Sequence, residues 1–265
     1  MRKIGVIVGT GKLPLYFLQE REKNDLDVFP IGLFDTIDEE IKNIDNFKMF
    51  NIGQVGDVVK YLLKNNVKEI IMLGKVEKQI IFRDLQLDKY GEELLKKLPD
   101  RKDETLLFGI ISFLRLNGIK VLPQNKFIKE CMFKNKCYTK VLPNDMDNKT
   151  IRIGIEAAKA LSKVDAGQCV VCKDMSVVAL EGIEGTNKCI KRGGQLAGAN
   201  TIIVKMSRPQ QNMKVDIPVI GIDTIKEAIN INARGVVGEA GKMIFLNESN
   251  CIELAEKNNM FIIGI

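Results

Sequence analysis

Short, continuously apolar runs separated by stretches with helical spacing constrain the first half of this 265-residue chain more than any other feature. KIGVIV at 3 to 8, DVFPIGLFD ending at Asp35, EIIMLG at 69 to 74 and IKVLPQ at 119 to 124 have the uninterrupted apolar character of strands buried on both faces. Between them lie GTGKLP and LYFLQEREKN, the amphipathic EEIKNID, a short strand-like FKMF and a helical pattern from about Asp57 to Asn65. The charged region 80 to 99 and DETLLFGIISFLRLNG, closed by Gly118, complete the set. Strands alternating with helices predict a parallel sheet covered on both sides. A Rossmann-like N-terminal domain is expected.

VLPNDMDNKT at 141 to 150 carries turn chemistry and no periodicity. After it come a helix (TIRIGIEAAKALSKVD), two strands spaced to pair as a hairpin (QCVVCKD and SVVALEG), and a helix near 187 to 198. The strands TIIVKM and PVIGI, the helix TIKEAININ, the strands GVVGE and KMIFLN, the helix ESNCIELAEKNN and a last run MFIIGI follow. This order is less regular than the first and predicts a mixed α/β C-terminal domain. The overall class is α/β, with domains at 1 to 132 and 137 to 265, as the length also favours on a prior of about 100 to 200 residues per domain.

Several function classes are excluded or made remote by composition. No histidine is present, which removes Ser-His-Asp triads, Cys-His dyads and His-ligated zinc. Proton transfer falls to Asp, Glu, Lys, Tyr or Cys, and a metal would sit on oxygens or thiolates. The net charge of +6 is spread along the chain and tryptophan is absent. That suits phosphorylated ligands and lacks the stacking platforms of nucleic-acid binding, so no nucleic-acid partner is expected. No apolar run approaches the ~20 residues of a membrane span, and the opening MRKIGVIVGTGKLP reads as a first strand with Met1 as the mature start. Six cysteines in no framework pattern point to reduced thiols and a cytoplasmic location.

Candidate site residues concentrate between Asp165 and Met243, where EGIEGT, KMSRPQQ and VDIPVIG place polar groups at the ends of apolar runs. Glu181, Glu184, Asp216, Asp223 and Glu239, with Asp103 and Glu104 further upstream, sit at element ends beside glycine or proline or at a helix start. Each is also explicable as a cap or loop residue, Asp103 most readily as a cap. Asp216, held before Pro218, is the hardest to explain away. Mg²⁺ needs only one or two carboxylates plus substrate phosphates, so it would let phosphoryl chemistry run without histidine. Lys205, Arg208 and Lys214 are cations within reach in sequence. The turn Gly9-Thr10-Gly11 suits either a phosphate contact or a plain structural turn. Its third glycine position is Pro14, and the nearest ribose-binding acid, Asp35, is misplaced for a dinucleotide fingerprint. Cys169 and Cys172 alternate within a strand and are expected to be inert core thiols on opposite faces.

GTGKLP, LGKV at 73 to 76, DETLL at 103 to 107, DAGQCVV, EGIEGT, VKMSRPQQNMKVDIPVIG and GVVGEAG, in that order, resemble the LpxI family of UDP-2,3-diacylglucosamine pyrophosphatases. The resemblance covers nearly the whole chain. It implies a two-domain, Mg²⁺-dependent hydrolase that converts UDP-2,3-diacylglucosamine into UMP and 2,3-diacylglucosamine 1-phosphate in lipid A biosynthesis and holds its lipid between the lobes. It also implies an essential aspartate in the C-terminal domain, matched here by Asp216 as catalytic and metal-holding group. Glu181, Glu184 and Glu239 are the expected supporting groups, with Gly9, Gly11, Asp103, Thr186 and Lys205 as substrate contacts. GTG departs from the more usual GGG-like turn, and CVVC from an ordinarily aliphatic or polar run. A lipid-linked sugar nucleotide would be the partner, with peripheral contact with the inner membrane and a homo-oligomer both left open. FGIISFL at 108 to 114 and VVALEGI at 177 to 183 carry the aliphatic surplus expected beside acyl chains. A non-catalytic nucleotide- or lipid-binding protein and a Rossmann-type oxidoreductase are the alternatives.

Overall fold

The computed structural model describes residues 1–33, 37–74, 87–99, 103–209 and 215–265, with the side chains of Asp103 and Glu104 outside the described set. The chain divides into two compact units, Met1–Ile128 with Met213–Asp216, and Lys129–Asn212 with Ile217–Ile265.

The first unit is built on five parallel strands: β1 (Arg2–Val8), β2 (Leu26–Gly32), β3 (Lys48–Met49), β4 (Glu69–Leu73) and β5 (Lys120–Val121), in the order β3-β2-β1-β4-β5. Helices α1 (Lys12–Gln19), α2 (Glu39–Lys42), α3 (Val55–Lys64), α4 (Lys89–Lys97) and α5 (Asp103–Leu116) lie between them in sequence. The uninterrupted KIGVIV run is explained by burial: Ile4, Val6 and Val8 are fully covered. Gly5, between them, lies so close to α3 that a Cβ would come within 2.7 Å of Leu62. Val58, Val59 and Leu62 of α3 pack with Phe29, Ile31 and Ile70 of the sheet. The expected parallel, doubly covered architecture is therefore present.

Local chemistry sets the helix ends. Asp88 caps α4 by accepting from the Gly91 N–H at 2.7 Å, and its other oxygen accepts from the Gly56 and Asp57 N–H groups at 2.7 and 3.0 Å. One carboxylate thus satisfies orphan donors at two helix starts. The helix over LYFLQEREKN stops at Gln19 and is followed by a 3₁₀ turn at Glu22–Asn24. Asp35 and residues 80 to 86 of the expected outer helix lie outside the described residues.

The second unit carries a six-stranded mixed sheet in the order β6-β13-β11-β9-β7-β8. Its strands are β6 (Lys136–Cys137), β7 (Cys169–Lys173), β8 (Ser176–Leu180), β9 (Ile202–Lys205), β11 (Gly235–Gly238) and β13 (Phe261–Gly264). Strands β9, β11 and β13 are parallel, whereas β7 and β8 form the expected hairpin. A separate pair joins β10 (Val219–Ile220) to β12 (Ile244–Phe245). The helices are α6 (Asp145–Lys163), α7 (Thr186–Ala197), α8 (Ile222–Asn230) and α9 (Glu248–Lys257).

Two observations refine the sequence reading. The segment expected to be a turn up to Thr150 is already helical from Asp145. Asn144 accepts from the Asp147 N–H at 2.8 Å while Asp147 accepts from the Asn144 N–H at 2.9 Å, a capping box made from residues that otherwise signal loop. Cys169 packs with Val171, Cys189 and Ile203, and Cys172 with Val170 and Val204, so the two thiols of CVVC face opposite cores as alternation requires. Both are fully buried.

Candidate active site

In the second unit, polar side chains collect at the carboxyl edge of the sheet. Strands β9 and β11 are in register with Lys205 beside Gly238, so the residues that follow them emerge side by side. One oxygen of Glu239 accepts from both the backbone N–H and the hydroxyl of Ser207, at 2.9 and 2.6 Å, and the other accepts from Lys242 Nζ at 2.8 Å. Only 12% of the Glu239 side chain is exposed. Burial alone would push its carboxyl up, but Lys242 and Ser207 together outweigh that and hold it below the usual carboxylate range.

Strand β8 runs in the same direction as β9, because β7 is antiparallel to both. Its end therefore brings Glu181 to the same edge. Glu181 accepts from the Gln168 N–H and from the Thr186 hydroxyl, each at 2.9 Å. Thr186 opens α7 directly after Gly185, whose φ of 82° lies where glycine is favoured. Glu184 turns to the surface instead: the Arg192 guanidinium at 2.5 Å, aided by the Gly182 N–H, holds its carboxyl below the usual range. Val177, Leu180 and Ile183, from the apolar stretch beside it, are exposed.

Lys205 ends β9 and is only 8% exposed. Its ammonium donates to the Val219 carbonyl at 3.0 Å, and the preceding carbonyl, of Pro218, accepts from the Ile244 N–H at 2.9 Å. The chain leaving Asp216 is thereby fastened at two successive carbonyls. Asp216 itself is exposed and is the last residue of the short piece that groups with the first unit. Arg208 pairs with Asp165 at 2.9 Å. Asp223 lies in the first turn of α8. Lys214 lies outside the described residues.

In the first unit, the strand order reverses between β1 and β4, the position where doubly wound sheets take ligands. The glycine turn stands there. The Gly9 N–H donates to the Leu73 carbonyl at 2.7 Å, and Gly11, with φ 101°, caps α1. Gly74 has φ 90°, and a Cβ there would sit 2.6 Å from the Thr10 carbonyl oxygen, so glycine is what lets the two loops touch. Asp103 is the first residue of α5, and its side chain lies outside the described set.

Among the described residues, no three Cys, Asp or Glu side chains gather closely enough to cage a metal ion. Glu181 and Glu239 each spend both oxygens on protein donors. Asp216 is an exposed carboxylate.

Residues 3–131 match the family model of the LpxI N-terminal domain, and residues 134–263 that of the LpxI C-terminal domain. The chain belongs to the LpxI family. A relative from Caulobacter vibrioides, named UDP-2,3-diacylglucosamine pyrophosphatase LpxI, is 26% identical over 277 aligned positions that cover 100% of this chain and 98% of the relative. For this LpxI-family chain, sequence reasoning named Glu181 and Glu239 as supporting groups and Thr186 as a substrate contact; the structure bonds Thr186 to Glu181 and sets Glu239 beside the end of β9. Sequence reasoning did not single out Ser207, Gln168 and Lys242, which donate to these two carboxylates. The first two stand at strand ends, within KMSRP and DAGQC, and that position was the available signal.

Proposed function

We propose that this chain hydrolyses the diphosphate of UDP-2,3-diacylglucosamine, releasing UMP and 2,3-diacylglucosamine 1-phosphate. The observation that carries the reading is the end-to-end relation to the Caulobacter vibrioides protein named for that substrate, together with family matches to both halves. In the reaction a water oxygen bonds to one phosphorus and the bridging P–O bond breaks, so charge gathers on phosphate oxygens. A site for it needs an oriented water and fixed groups that neutralise that charge.

Asp216 is assigned as the carboxylate that orients the water or holds the ion. Its exposure leaves it reachable, and the hydrogen bonds to the carbonyls of Pro218 and Val219 stiffen the backbone that follows it. Glu239 and Glu181, locked by Ser207, Lys242, Gln168 and Thr186, act as rigid supports of the sheet edge. Lys205 serves that edge by holding Val219, and the Gly9 to Gly11 turn is assigned a phosphate contact. Magnesium, when bound on Asp216 and the diphosphate, supplies Lewis-acid neutralisation. With no histidine in the chain, the water's proton passes to a carboxylate or to solvent. A diacylated substrate resides in a bilayer, so the enzyme is assigned to the cytoplasmic membrane face.

The test is incubation of the purified protein with UDP-2,3-diacylglucosamine, with magnesium and after exhaustive chelation, with UMP and the lipid phosphate quantified. Release of both products, dependent on the ion, is expected. No UMP release at any magnesium concentration would overturn the reading.

A further inference from the structure

The joint between α5 and β5 holds the one Asn-Gly step of the sequence, Asn117-Gly118. The helix ends there in a left-handed cap. Gly118 has φ 78°, its N–H donates to the Arg115 carbonyl at 3.0 Å, and the next N–H, of Ile119, donates to the Leu114 carbonyl at 2.9 Å. Asn117 closes the turn from the side, its Nδ2 donating to the Phe113 carbonyl at 2.8 Å. Both residues are exposed, and a Cβ on Gly118 would meet nothing within 4 Å. Beyond the cap the chain is fixed again: the Lys120 N–H donates to the Lys68 carbonyl at 2.9 Å, and Ile119 is buried in the core.

Other asparagines at turns of this kind are differently placed. Asn66, Asn200 and Asn259, with φ of 59°, 64° and 52°, are followed by the fully buried Val67, Thr201 and Met260. A packed side chain therefore covers the amide nitrogen that follows each of them. Gly118 brings no side chain, and the hydrogen bond of its nitrogen belongs to a helix end, where local opening costs least. Arg115 and Lys120, both exposed, flank the step with positive charge, which favours loss of a proton from the amide nitrogen between them.

We propose that Asn117 is a site of spontaneous deamidation, a covalent change that follows from local chemistry and is independent of the hydrolase reading. The Gly118 amide nitrogen, its proton taken by hydroxide, bonds to Asn117 Cγ. The Cγ–Nδ2 bond then breaks, and the side-chain nitrogen leaves as ammonia. A five-membered imide remains. Water adds to one of its two carbonyls and breaks that carbonyl's bond to nitrogen, leaving aspartate or, with the main chain rerouted through Cβ, isoaspartate. The net change exchanges one amide and one water for one carboxylate and one ammonium ion. Either product puts a negative charge at the carboxyl end of α5, where the helix dipole opposes it, and removes the donor to the Phe113 carbonyl. Isoaspartate also lengthens the chain by one backbone atom between the fastenings at Leu114 and Lys68.

The test incubates the folded protein beside a synthetic peptide of residues 113 to 121 at neutral and at alkaline pH, then digests the protein and maps it by mass spectrometry. Isoaspartate is counted by methyl transfer from a protein-isoaspartate methyltransferase. When the peptide has half converted, the fragment carrying Asn117 has gained about one mass unit, at a rate at least ~10-fold above that of any other asparagine and faster at the higher pH. Asn117→Gln, whose longer side chain would have to close a six-membered ring, abolishes the gain in that fragment. Asn117→Asp, which reproduces one product, lowers Tm by about 2 °C or more. An Asn117 that stays intact while the peptide half converts overturns the site, as does a mass gain spread evenly over the asparagines. An Asn117→Asp chain that melts with the wild type overturns the stated consequence for α5.

Discussion

Ser207 gives both of its donors, backbone N–H and hydroxyl, to the same oxygen of Glu239 across 32 residues of sequence. The backbone N–H comes from the residue pair after β9, so the acceptor is aimed by the sheet itself. A carboxylate held this way is fixed more firmly than one on a mobile loop. Hydrogen bonds to charged groups are also worth more than neutral ones.

Ser207→Ala keeps the backbone donor and removes the hydroxyl. Loss of one hydrogen bond to a charged group is expected to cost about 1.5–3 kcal/mol at neutral pH. The sign with pH follows from Glu239, whose carboxyl lies below its usual range in the folded protein. Such a group adds stability that is present above the unfolded-state pKa and lost as pH falls through the folded one. The gap between wild type and variant should therefore narrow from pH 7 towards pH 3 in urea unfolding. A gap that stays constant would show that the hydroxyl does not act through the ionised carboxylate.

Asp216→Ala should keep the fold, since no buried side chain is removed, and lose at least ~10²-fold in kcat, the scale of removing a charge-stabilising or proton-transfer group. Steady-state kinetics beside a thermal melt decide it. Turnover near that of the wild type in a folded variant would remove Asp216 from the chemistry.

Much of the fold was legible because burial on both faces leaves an unmistakable pattern. KIGVIV reads as a buried strand, which the fold places at the centre of five, and the three-residue spacing of Cys169 and Cys172 was enough to send them to opposite cores. What escaped depends on contacts across sequence or on residues with two meanings. Asn144 and Asp147 read as turn and act as a capping box. Asp88, which lies inside the charged stretch 80 to 99 read as one helix, caps α4 and also holds α3, 31 and 32 residues away. At the site, carboxylates next to glycine were visible, but nothing in EGIEGT distinguishes Glu181, which turns to Thr186, from Glu184, which turns to Arg192. Only the folded hairpin separates them.

The thiols give an independent check on the core. Burial pushes Cys172 up to about 11 and Cys251 up to about 12, and Cys169, hydrogen-bonded to Cys189 and fully buried, is raised as well; Cys189, lowered by that same bond, is kept from reagents by its own complete burial. Thiolate is the reactive form. Native protein at pH 7.5 should therefore release about one equivalent or less with a disulfide reagent, from half-buried Cys137, and all six only on denaturation. Cys169→Ala with Cys172→Ala should lower stability by about 1 kcal/mol or more and leave the specific activity of the folded fraction intact. Rapid titration of several thiols in the native state would contradict the packing of both cores.

Lys205 separates two roles that a basic residue at a strand end can play. As a phosphate contact it would bind substrate, and its loss would raise KM. As a tether it holds the Val219 carbonyl at 3.0 Å, three residues beyond Asp216, and its loss would loosen the segment that carries the proposed catalytic carboxylate. The geometry favours the tether, since the side chain is 8% exposed and already has that acceptor. Lys205→Met preserves the aliphatic bulk and removes the donor. It should lower kcat by about 10-fold or more with little change in KM, as expected when a supporting contact, distant from the substrate, lets the reacting group drift. Hydrogen exchange at residues 217 to 220 should quicken in the same variant, because the Pro218 and Val219 carbonyls would share one fastening instead of two. A rise in KM with kcat and exchange unchanged would return Lys205 to the phosphate.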